Sequence, residues 1–200
     1  TAIGRLQEPL LDFPCVARCH FSTVLAAILS LVARYAIQGN VPLFAVRSTI
    51  RGSGKGPLID AMSLIGTGRS APRWAQTDDP EEERKRLFTI AMAGDAVSHL
   101  DNVTRALGSA SLDMALTAPT FRDRVLGQEI SREAPMHTVF FASGNNMQFQ
   151  GDLARRVVPI DLDPGMERPE DRSGFRHSPL LVWVLEERPR LVVAALTILL

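Results

Sequence analysis

Apolar residues along this chain recur in two rhythms, and the alternation between them sets the expected fold class. From Phe21 to Ile37 they cover nearly every side, as in a helix buried between other elements, until Gln38-Gly39-Asn40 ends it. Pro42 to Val46 is an apolar run of strand length. A glycine- and hydroxyl-rich turn follows, and then Leu58, Ile59, Met62 and Ile65 recur at helical spacing up to Gly66-Thr67-Gly68. Ala71 to Gln76 reads as a short strand. Asp79-Pro80-Glu81-Glu82 is a helix start, with Asp as the cap and Pro at the first position; that helix runs to about Ala93, where Gly94 stops it. Ala96 to Asp101 reads as a strand ending in an acid, Leu112 to Thr117 as part of a helix, and Phe121 to Glu133 as an exposed hairpin around Gly127-Gln128. Thr138 to Ala142 and Val157 to Leu162 are buried strands. Pro164 to Ser173 is a polar linker, and two apolar helical segments, Leu180 to Glu186 and Leu191 to Leu200, are separated by Pro189. Strands alternating with helices predict an α/β fold with a mainly parallel sheet.

Composition supports a globular chain with a real core: hydrophobic residues make up 46% of 200 positions and the formal charge is zero. Zero net charge excludes a uniformly basic nucleic-acid binder while leaving room for a local basic patch. The pattern divides into a helical leader over 1–40, a core over 41–163, and a linker with a helical segment over 164–200. The chain has no initiator methionine and stops inside an apolar run, so a piece of a longer protein is expected. Val24 to Ile37 is too short for a bilayer and contains Arg34, so it reads as a core helix and no membrane association is expected; a cytoplasmic location, with which the cysteine usage is compatible, is the expectation. Cys15, Cys19 and His20 form C-x-x-x-C-H, but without a second ligand pair nearby the reading is two reduced thiols.

Candidate chemistry centres on Val41 to Ala61. A strand, the turn Ser48-Thr49-Ile50-Arg51-Gly52-Ser53-Gly54, and a helix opened by Lys55 follow in the order a phosphate-binding loop requires. Backbone N–H groups at a helix N-terminus face an anion, and a lysine ammonium reaches the outer phosphates. Lys55 is also one of only two lysines in the chain. Gly52, Ser53, Gly54, Lys55 and Gly56 are therefore the expected nucleotide-binding residues. Against the G-x-x-x-x-G-K-[ST] pattern, Thr49 stands at the first glycine and Gly56 replaces the hydroxyl that contacts Mg²⁺. Further on, Asp101 ends a strand, where open α/β sheets bind ligands, and is a candidate for Mg²⁺. Asn145 ends another and is a candidate to orient water. Arg155 and Arg156 precede the Val157 strand, where a guanidinium can stabilise charge on a transferring phosphoryl group.

The motifs GSGKG, HLDNV, FFASGNN and GDLARRVVPI, in that order over Pro42 to Leu162, resemble the ATPase domain of AAA+ and superfamily 3 helicases, especially phage and mobile-element primase-helicase proteins. The resemblance implies a P-loop NTPase fold in which Lys55 is the Walker A lysine, Asp101 the Walker B acid and Asn145 sensor 1. Arg156 matches the arginine finger, with Arg155 second. It implies ATP and Mg²⁺ as cofactors and single-stranded DNA as partner, contacted by Arg122, Arg124 and Arg132 of a pre-sensor hairpin. The assembly it implies is a homo-oligomeric ring, a hexamer, acting in phage or bacterial DNA replication. Asn102 stands where many such proteins carry a glutamate that activates water, and an amide is no general base. The alternatives are an ATP-binding scaffold with little hydrolysis, and a DNA-docking module whose loop has decayed.

Overall fold

The computed structural model describes residues 1–124 and 130–200. The strands show the period-2 alternation that a sheet covered on both faces requires. In β1 (Leu43–Ser48), Phe44 and Val46 enter one apolar cluster while Leu43 and Ala45 enter a second; in β6 (Val139–Asn145), Val139 and Phe141 face the first, Phe140 and Ala142 the second. With β2 (Arg73–Ala75), β3 (Val97–Val103) and β7 (Val157–Leu162), these strands form a five-stranded sheet of order β2-β3-β6-β1-β7. Every pairing in it is parallel. A separate antiparallel pair joins β4 (Thr120–Arg124) and β5 (Ser131–Pro135).

Helices cover both faces, giving a three-layer α/β architecture. On one side lie α1 (Ala2–Gln7), α2 (Arg18–Val32), α3 (Lys55–Thr67) and α6 (Leu180–Leu199), which contribute Leu6, Ile28, Leu58, Met62 and Leu191 to the cluster around Phe44 and Phe141. On the other lie α4 (Pro80–Ala93) and α5 (Ala110–Ala115), with Leu87, Phe88 and Leu112 packed on Phe121 and Phe140. The leader and the C-terminal helix thus share one apolar cluster with the sheet. The start of α4 is the one its sequence dictates: Asp79 accepts from Glu81 N at 2.9 Å and Glu82 N at 3.4 Å, Pro80 occupies the first turn, and Gly94 closes the helix at φ 65°. Among the described residues no helix is long and apolar enough to cross a membrane.

Several boundaries differ from expectation for physical reasons. Pro189 does not divide two helices; α6 runs through it without a break. The missing N–H costs one helical bond, but Val184, Leu191, Ala194 and Ala195 are buried along the same helix, and Arg188 Nε donates to Leu64 O at 2.9 Å. Packing of this kind outweighs local propensity. The helix expected to reach Ile37 stops at Val32, and the buried Arg34 guanidinium instead satisfies carbonyls of Ile37 and Met136. Strand β6 extends past Ala142 to Asn145, and β3 past Asp101 to Val103. Pairing of β3 with β6 shifts between Leu100 and Val103, with Asn102 at φ 54°, so Asp101 sits in a bulge rather than at a strand end.

Candidate functional site

Parallel strands bring the loops after β1, β3 and β6 to one edge of the sheet, the edge at which open α/β sheets bind ligands. After β1 the chain turns through Gly52 at φ 70° and Gly54 at φ 89°, both left-handed, and Gly54 caps α3. A side chain at Gly54 would also crowd the Phe13 ring, since its Cβ would stand 3.3 Å from it. Lys55 is the first residue of α3. Its ammonium donates to Asn145 Oδ1 at 2.7 Å, Ser53 Oγ at 3.1 Å and Ile50 O at 3.3 Å. All three donors are thus held within the chain. Partial burial lowers the Lys55 pKa, and the Asp101 carboxylate opposes that shift.

The loop separates two concavities. The first, about 300 Å³, is bordered by the loop and by Asp101, Asn102, Ser143 and Gly144. The second, about 340 Å³, shares Gly52, Ser53, Gly54 and Pro57 with it and is walled by Pro9, Phe13, Pro169, Phe175 and Leu180. Arg172 and His177 give this second cavity polar groups. A polar cleft of loop backbone, the Lys55 ammonium and the Asp101 carboxylate therefore adjoins a largely apolar, aromatic cavity that also includes the acids Asp12 and Glu170.

Behind Asp101 lies a network that explains why β3 carries polar residues. Ser143 Oγ donates to Asp101 Oδ1 at 2.7 Å, and the fully buried His99 places Nε2 2.9 Å from Ser143 Oγ. Because the Ser143 proton goes to the carboxylate, His99 carries its proton on Nε2 and donates to Ser143. Burial pushes the His99 pKa down from 6.5 to about 4, against the pull of Asp101. For Asp101 itself burial acts upward, but the Ser143 hydrogen bond, His99 and Arg73 hold the carboxyl below its usual range. Ser98 accepts from Trp74 Nε1 at 2.9 Å. Arg73 completes the group: Nη2 donates to Asp60 Oδ2 at 2.5 Å, and Nη1 lies 3.7 Å from Asp101 Oδ2.

A pH dependence of stability follows from His99. Its folded pKa lies below its unfolded value, so its contribution is fully present above pH 6.5 and is lost as pH falls toward about 4. The shift corresponds to a loss on the order of 3 kcal/mol. Denaturant unfolding across that window is expected to show this slope, and His99→Gln, which keeps a donor for Ser143, is expected to flatten it. An identical slope in parent and variant would remove the assignment.

The structure brings Gly52, Ser53, Gly54, Lys55, Gly56, Asp101 and Asn145 to one edge. Arg156 lies elsewhere. Leu43 N donates to Arg156 O at 3.0 Å, which places Arg156 at the amino ends of β1 and β7. Its guanidinium donates to Asp113 Oδ1 at 2.7 Å and Asp152 Oδ2 at 3.4 Å, while Arg155 pairs with Asp152 at 2.7 Å. On the β4–β5 pair, Arg122 and Arg124 project from one face, opposite Glu133 and Ser131. Arg132 stands opposite Asp123 and so belongs to the other face. All three arginines are exposed. The Gly127-Gln128 turn lies outside the described residues. Sequence reasoning missed Arg73, Ser143 and the Phe13–Phe175 cavity. The polarity of Ser98 and His99, unusual for a central strand, was the one local sign of the network.

No protein-family profile matches the chain, and no curated protein matches it. Solved structures do. The A form apo structure of the NrS-1 C-terminal region superposes with a TM-score of 0.60 at 16% identity over 97% of this chain, and a second A form apo structure of that region, residues 305–718, with 0.56 at 15% over 97%. The present chain spans 43% of the length of each. At this identity the likeness establishes a shared fold.

Proposed function

We propose that this chain is an ATP-binding and ATP-hydrolysing motor domain acting on DNA in replication, similar to superfamily 3 helicases and built on a P-loop NTPase fold. The observation that carries the reading is the 2.7 Å contact between Lys55 Nζ and Asn145 Oδ1 in a cleft bordered by Asp101. It joins the lysine of a glycine-rich loop to the residue that ends the neighbouring strand. Phosphate oxygens would replace the Ser53 and Ile50 contacts of the ammonium, with amides of the α3 N-terminus facing the same anion. The base would enter the cavity between Phe13 and Phe175. Support for a replication setting is the order of the GSGKG, HLDNV, FFASGNN and GDLARRVVPI motifs, which resembles that of primase-helicase proteins. Calorimetric titration with ATP, then turnover with and without single-stranded DNA, tests the reading; no binding by folded protein would end it.

The second reading, a scaffold that binds ATP with little hydrolysis, is favoured by Asn102. It borders the cleft as an amide at φ 54°, and the one carboxylate among the residues lining that cleft is Asp101, already bonded to Ser143. Binding without DNA-stimulated turnover would decide for it.

Mg²⁺ fits this donor set poorly. Gly56 brings no hydroxyl, Asp101 Oδ1 already accepts from Ser143, and Asp101 Oδ2 faces the Arg73 guanidinium.

The proposed DNA contact rests on Arg122 and Arg124, which share a face. Replacing both with alanine is expected to weaken single-strand binding and to reduce the slope of log affinity against log salt by about 0.7 per arginine. Arg132→Ala, from the opposite face, is expected to do less. Equal slopes in all three proteins, measured by fluorescence anisotropy, would mark these arginines as solubilising charges.

A further inference from the structure

At the rim of the cleft, beside Gly56 and Asp101, stands a cation of the chain's own. Arg73 opens the edge strand β2, and its guanidinium is anchored by Asp60, a nearly buried residue of α3. A Cβ on Gly56 would stand 3.6 Å from Arg73 Nη2 and 4.0 Å from Nη1. Gly56 is the position whose hydroxyl, in the P-loop pattern, binds Mg²⁺. Asp101, the acid that would hold the same metal, has Oδ2 3.7 Å from Nη1. The guanidinium therefore borders both residues that would define a metal position, and a divalent cation there would meet a like charge at close range.

We propose that Arg73 takes the place of the divalent cation, so that this site binds nucleotide phosphates without Mg²⁺. The inference rests on the nucleotide reading above and deepens it. A polyphosphate in the cleft would face the Asp101 carboxylate, and a positive charge has to stand between them. A planar guanidinium suits that position, because it stays charged and offers five donors in a fork that matches phosphate oxygens. One donor is spent on Asp60. The Asp101 contact, at 3.7 Å, is an ion pair without a hydrogen bond, so exchanging it for phosphate forfeits little. The side chain is 46% exposed, so its outer donors are open to solvent beside Gly56 and Asp101, two residues that line the cleft. Asp60 Oδ1 is buried without a partner, consistent with a carboxylate kept as an anchor for the arginine.

The test is ATP titration by calorimetry in excess Mg²⁺ and in excess EDTA. The parent is expected to bind with the same affinity in both, within about twofold. Arg73→Gln, which keeps a donor for Asp60, is expected to lose about tenfold or more in EDTA. Adding Gly56→Ser to that variant is expected to make binding respond to Mg²⁺. Arg73→Lys, which keeps the charge, should retain more EDTA affinity than Arg73→Gln. Circular dichroism and unfolding midpoints verify that each variant is folded. If parent affinity falls about tenfold or more in EDTA, the Arg73 assignment is overturned while the nucleotide reading stands. If folded parent binds in neither condition, both fall.

Discussion

Lys55→Ala is expected to weaken ATP binding by at least about tenfold, or 1.4 kcal/mol, and to remove any turnover. The ammonium sits at the N-terminus of α3, where backbone N–H groups already favour an anion, and it supplies the adjacent full charge. It also ties the loop together, since it reaches the Ile50 carbonyl and Ser53 within the loop and Asn145 on the neighbouring strand. Truncation therefore removes a phosphate contact and the clamp that shapes the cleft. Lys55→Arg separates the two roles. It keeps the charge, but a planar fork cannot reproduce three converging bonds from one ammonium. Affinity of the arginine variant between parent and alanine is the expected order. Equal affinity of Lys55→Ala and parent by calorimetry would dissociate the loop from nucleotide altogether.

What the sequence made legible, and what it hid, divides by range. The Asp79 cap with Pro80, and the apolar runs of β1, β6 and β7, are local patterns, and each produced an element close to its expected place. Convergence of Lys55, Asp101 and Asn145 was legible for a related reason: each lies at or just past the carboxyl end of a parallel strand, and parallel strands deliver such residues to one edge, although Asp101 sits in a bulge before the end of β3. Arg73 was not. It lies in a three-residue edge strand, and its partners, Asp60 and Asp101, come from α3 and β3. No periodicity encodes that meeting. The aromatic cavity was hidden similarly, because Phe13 and Phe175 come from opposite ends of the chain, in the segments read as 1–40 and 164–200. At Pro189 a sound local rule lost to tertiary burial. On the hairpin, grouping arginines by sequence proximity overlooked the pleat, which sends Arg132 to the face opposite Arg122 and Arg124.

Arg156→Ala is expected to lower turnover on the order of a thousandfold while leaving ATP affinity unchanged, if the proposed ring forms. The expectation starts from where the residue stands. Arg156 is at the amino ends of β1 and β7, whereas the Gly52–Lys55 loop follows the carboxyl end of β1. Six residues of strand separate them, roughly 20 Å at about 3.3 Å per residue. The guanidinium is thus too far to meet phosphate at its own Lys55, and any catalytic role has to be played on a neighbour in a head-to-tail assembly. Its hydrogen bonds to Asp113 and Asp152 support a competing role, a tie between α5 and the turn before β7. Asp113→Asn discriminates, since it removes the closer carboxylate charge and keeps Arg156. If the arginine is only a tie, Arg156→Ala and Asp113→Asn should lower stability alike, the double variant should add little, and turnover should track folding. If it acts on a neighbour, Asp113→Asn should retain turnover that Arg156→Ala has lost. Mixing inactive Arg156→Ala with inactive Lys55→Ala should then restore activity, because some interfaces pair an intact arginine with an intact loop. Full turnover of Arg156→Ala, or of a demonstrably monomeric parent, would decide for the tie and against the ring.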